Sequence, residues 1–80
     1  MLKASDIKPE YDILNGALGL LKRYGDLRAD SPEEDWNNLL LEAEKLTDGY
    51  DGIYRGFADA VTAAAVRHIA DRSGIKGGYL

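Results

Sequence analysis

Three stretches of the chain carry apolar residues at helical spacing, and short segments rich in glycine, proline and acidic residues separate them. In the first, Leu14, Ala17, Leu18, Leu21 and Tyr24 recur at the i, i+3/i+4, i+7 interval that lines one face of a helix. Pro9 suits the first turn, and Gly25 supplies the stop, expected in a left-handed conformation. In the second, Trp36, Leu39, Leu40, Ala43 and Leu46 form the stripe and Gly49 closes it. Ser31-Pro32-Glu33-Glu34 reads as a capping box, with the Glu34 N–H donating to the Ser31 hydroxyl and the Ser31 N–H to the Glu34 carboxylate. In the third, Ile53, Phe57, Ala60, Val61, Ala64 and His68 make the stripe, Gly74 the stop, and Ile75 folds back on Ile69 or Ala70. Helices are predicted over about 9–24, 32–48 and 54–73, with a flexible tail at 76–80 after Gly77-Gly78.

These stripes predict a core of Leu14, Leu18, Leu21, Trp36, Leu39, Leu40, Leu46, Phe57, Val61 and Ala64. They also leave apolar residues over. Ile13 and Leu20 lie to one side of the first stripe beside Gly16, and Leu41 lies opposite the second. With Phe57 as the centre of the third helix's inner face, Val66, Ala70 and Ala63 fall about 180°, 220° and 240° away. A helix that is apolar on more than one side is normally covered on more than one side. Ile13, Gly16, Leu20, Leu41, Ala63, Val66 and Ala70 are therefore the expected interface of a homo-oligomer. The fold class is all-α: one three-helix bundle-like domain over residues 1–80 with short loops.

Composition narrows the chemistry more than it defines it. Eighty residues close one small core. The chain has no cysteine, which excludes disulfides, thiolate catalysis and cysteine-ligated metals. His68 is the only histidine, so no imidazole cluster and no histidine–nucleophile pair is spelled; it reads as a structural residue near a helix C-terminus. Glu33, Glu34 and Asp35 are consecutive and splay around the helix, and Asp48-Gly49-Tyr50-Asp51-Gly52 lacks calcium-loop spacing. No phosphate-binding loop is present, and no catalytic, cofactor or metal residue is assigned. A net charge of −4 disfavours nucleic-acid binding, and the outer faces of the third helix offer alanine and valine where a recognition helix needs polar side chains. No run reaches the length of a membrane span and the N-terminus lacks a signal-peptide core, so residence in the cytoplasm is expected.

Leu18-x-x-Leu21-Lys22-x-Tyr24, then Trp36-x-x-Leu39-Leu40-x-x-Ala43-x-x-Leu46, then the alanine-rich last helix, resemble uncharacterised small helical proteins of Firmicutes phages and integrative elements. The resemblance spans roughly residues 11–72 and implies an accessory or host-interaction role, with no functional residue to carry over. Two functions are expected from the residues and this resemblance together. The first is a non-enzymatic interaction protein that self-associates. The alternative is an acidic inhibitor or adaptor that binds a basic protein through Glu33–Glu34–Asp35 and Glu42–Glu44–Asp48.

Overall fold

The computed structural model describes residues 1–74, and the expected tail and the Ile75 cap lie outside that range. A short 3-10 turn, Ala4–Ile7, leads into α1 (Lys8–Tyr24); α2 (Glu33–Asp48) and α3 (Gly52–Arg72) follow. Among the described residues there is no strand. The elements match the hydrophobic periods closely, with α3 starting earlier than expected because Gly52, at φ +61°, turns the chain directly into the helix.

The three helices run up, down and up. Gly16 of α1 lies against Leu46 of α2, whereas Arg23 and Tyr24, further along α1, reach back to Glu42. The pair is therefore antiparallel. The Glu42 carboxylate fastens it, accepting the Tyr24 hydroxyl on one oxygen and the Arg23 guanidinium on the other at 2.7 Å. Gly16 makes the approach possible, since a Cβ there would meet Leu46 Cδ2 at 2.7 Å. The C-terminal ends of α1 and α3 share one end of the bundle, where the Ala29 N–H donates to the Ser73 carbonyl at 3.2 Å.

That end holds most of the core. Leu20, Leu27, Trp36, Leu39, Ala43, Val66, Ile69 and Ala70 form one cluster, with Leu21, Tyr24 and Leu46 half-buried around it. Trp36 is buried with a satisfied ring, its Nε1 donating to the Arg28 carbonyl at 3.1 Å. The loop between α1 and α2 is thereby folded over the indole and tied to the end of α3.

Two local expectations are corrected. Gly25 ends α1 with φ −66°, a right-handed residue whose N–H donates to the Leu21 carbonyl, so no left-handed stop is used there. The Ser31 capping box does not form. The Ser31 hydroxyl accepts the N–H of Arg28 at 2.8 Å, closing the turn that presents the Arg28 carbonyl to Trp36. The acidic first turn, Glu33 to Asp35, still meets the positive end of the α2 dipole.

The rotation of α1 and α3 differs from the expectation by about one residue. In α1 the buried residues are Ile13, Ala17 and Leu20, while Leu14 and Leu18 are 52% and 47% exposed. In α3 they are Ala58, Thr62, Ala65, Val66, Ile69 and Ala70, while Phe57 and Val61 are half-buried and Ala64 is exposed. In α2, Trp36 and Leu39 are buried as expected, Leu46 is half-buried, and Leu40 is largely exposed. Both misplaced helices carry two apolar stripes side by side, and period alone does not say which one faces in. The end cluster decides: Ile69 and Ala70 must meet Leu27 and Trp36, and that turns Phe57 and Val61 to the flank.

Truncations separate the two rotations. Leu20→Ala is expected to cost about 2–5 kcal/mol and Leu18→Ala less than about 1 kcal/mol in dilute solution, measured by urea unfolding. The opposite order would restore the stripe led by Leu18. Trp36→Ala is expected to cost about 3–5 kcal/mol, and the native indole to emit at short wavelength. Emission like that of free indole would place Trp36 at the surface.

Candidate interaction surfaces

The residues expected to form the interface divide. Ile13, Leu20, Val66 and Ala70 lie inside the bundle, each no more than 5% exposed. Gly16 is half-buried beneath Leu46. All five are packed within the chain, so they do not form the exposed oligomer face expected of them. Leu41, 55% exposed, and Ala63 are at the surface as expected. His68 is exposed on α3 rather than tucked against the core.

The stripes expected to be core now form an outer face. Gly16, Gly19 and Arg23 line a groove with Glu42, Lys45 and Leu46, which fixes the flank of α1 that meets α2. Relative to Ile13, these three residues lie about 60–120° to one side, and Leu14 and Leu18 lie about 100° and 140° to the other. In α3, Asp59, Thr62, Ala63 and Val66 line a groove with α2. Relative to Ala58, Thr62 and Val66 lie about 40° and 80° towards α2, whereas Val61, His68, Phe57 and Ala64 lie about 60–120° the other way. Both outer stripes therefore point away from α2 and flank the same α1–α3 seam. Tyr11 at 57% and Ile53 at 81% exposure extend this face at its N-terminal end.

The α2–α3 side has a different character. Leu40, Ala43, Glu44, Thr47, Asp59, Thr62, Ala63 and Val66 surround an open groove of about 400 Å³. Arg55 crosses its end, 3.3 Å from Asp59 and 3.8 Å from Asp48. The Glu44 carboxylate has no ion-pair partner among the described residues. Thr47 turns its hydroxyl to the Glu44 carbonyl at 2.9 Å, but Thr62 Oγ1 is buried with no hydrogen-bond partner.

The acidic residues expected to act together are dispersed. Glu42 is engaged by Arg23 and Tyr24, whereas Glu44 and Asp48 face the α2–α3 side. Among the described residues no group of three or more histidine, cysteine or carboxylate side chains is placed to hold a metal ion. No helix among them is long and apolar enough to cross a membrane. Comparison with protein-family models, curated proteins and solved structures returned no match.

Thr62 offers a direct check on this geometry. Thr62→Val keeps the shape and removes the unpaired hydroxyl, so it is expected to stabilise the protein by about 1 kcal/mol in thermal or urea unfolding. A loss of stability would mean that the hydroxyl is hydrogen-bonded within the chain.

Proposed function

We propose that this is a non-enzymatic interaction protein that works as a homo-oligomer, assembled through the α1–α3 face. The observation that carries this reading is the second apolar stripe on each of these helices: Tyr11, Leu14 and Leu18 beside Ile53, Phe57, Val61 and Ala64. Tyr11, Leu14, Leu18 and Ile53 are each between 47% and 81% exposed, and covering them removes apolar surface from water on the scale at which protein interfaces form. Large apolar surface patches of this kind mark interaction sites.

A second copy is the occupant that this face fits. Four apolar rows, two from each chain, close around a twofold axis into a second core, and a twofold contact needs only one self-complementary patch. Alanines at 60 and 64 keep part of the surface low, so that helices can approach within the usual 8–10 Å interaxial range. The absence of cysteine fits work in the cytoplasm.

Sedimentation velocity over a range of micromolar concentrations tests the reading. The wild-type protein is expected to sediment as a dimer or higher oligomer, and Leu14→Glu/Leu18→Glu as a monomer with its helicity kept. Leu41→Glu, on the exposed side of α2, is expected to leave assembly unchanged. A wild-type protein that stays monomeric at high micromolar concentration would contradict the proposal.

A further inference from the structure

The α2–α3 groove lies on the other side of the bundle from the self-association face, and nothing in its chemistry depends on that face. Its floor is apolar, formed by Leu40, Ala43, Ala63 and Val66. Its walls are acidic: Glu44 stands on α2 and Asp59 on α3, with Asp48 near the end. One internal cation, Arg55, bridges Asp48 and Asp59, and Glu44 has no ion-pair partner among the described residues, so an excess of negative charge remains. Thr62, 4% exposed, belongs to the wall of this groove, and its Oγ1 has no partner.

These features fit one kind of side chain. A carboxylate-walled groove with an apolar floor suits a group that is aliphatic along its length and cationic at its tip. A lysine satisfies both demands. Its methylenes cover Leu40 and Ala63, and its ammonium, with three donors, reaches the Glu44 and Asp59 carboxylates above the buried Thr62. The groove runs along about two helical turns, from Leu40 to Thr47 on α2 and from Asp59 to Val66 on α3. That length, about 10 Å, is enough to take two lysines spaced i, i+4 on a helix, about 6 Å apart.

We infer that the α2–α3 groove is a docking site for a basic amphipathic helix of a partner protein, which inserts lysine side chains between Glu44 and Asp59. The inference does not rest on self-association. Charge complementarity selects this partner over a second copy, because the same groove on another chain presents carboxylates to carboxylates.

The probe is a synthetic amphipathic leucine–lysine peptide, with the same peptide acetylated at every lysine as its control. Each is titrated into ¹⁵N-labelled protein and followed by amide chemical shifts at two salt concentrations. The expected result is shifts centred on residues 40–47 and 59–66, and binding that weakens with salt and falls about tenfold on acetylation. Glu44→Gln/Asp59→Asn is expected to weaken binding about tenfold with the circular dichroism spectrum unchanged. Thr62→Val, which leaves the charges in place and alters only a buried hydroxyl, is expected to leave binding unchanged. Equal binding of the acetylated peptide would overturn the inference. So would shifts confined to Leu14, Leu18 and Phe57 or to the Glu33–Asp35 turn, or no shifts at all.

Discussion

A single constraint shapes this bundle: α3 is apolar around most of its circumference, and two neighbouring helices cover only part of it. Ala58, Thr62, Ala65, Val66 and Ile69 are taken by α1 and α2. Phe57, Val61, Ala60 and Ala64 remain on the flank. The small size of Ala58, Ala65 and Ala70 is what lets both neighbours come close. The same smallness gives little area per residue, so the inner stripe alone yields a thin core.

The thin core is compensated at one end. Leu27 and Trp36 add volume that the alanines of α3 lack, and hydrogen bonds from Trp36 to Arg28 and from Ala29 to Ser73 hold the loop carrying Leu27. This end sets the rotation of α3 and, through the helix period, the composition of every other face. The larger residues of α1 and α3 at the far end, Leu14, Phe57 and Val61, are thereby turned outward. The α1–α3 face is thus a consequence of how the α1–α2 loop is packed.

The helices themselves were legible in the sequence, because proline and glycine punctuate runs with a clear 3.6-residue period. The surplus of apolar surface was legible for the same reason. Its location was not. Ile13–Ala17–Leu20 and Leu14–Ala17–Leu18–Leu21 both satisfy helical spacing; Ala17 is buried and Leu21 half-buried against the core as expected, whereas Leu14 and Leu18 face outward and Ile13 and Leu20 take the interior. Leu27 is the signal that sequence reasoning missed: it stands in a loop, outside any period, yet it is buried in the same end cluster as Trp36 and Ile69. The bond from Ser31 to Arg28 likewise competes with a capping box through chemistry that the motif cannot distinguish, since a serine hydroxyl accepts either N–H. The α2–α3 groove needs the rotation of both helices to be known, so Thr62 gave no warning as a sequence position.

In the proposed oligomer the outer stripes of α1 and α3 are one continuous apolar face covered by another copy. Isotope-filtered nuclear Overhauser spectroscopy on a mixture of ¹³C-labelled and unlabelled protein reads that contact directly. Cross-peaks between chains are expected from the Leu14 and Leu18 methyls to the Phe57 ring and Val61 methyls. Absence of any cross-peak between chains at millimolar concentration, with the Leu18 methyls broadened by a soluble paramagnetic probe, would contradict it.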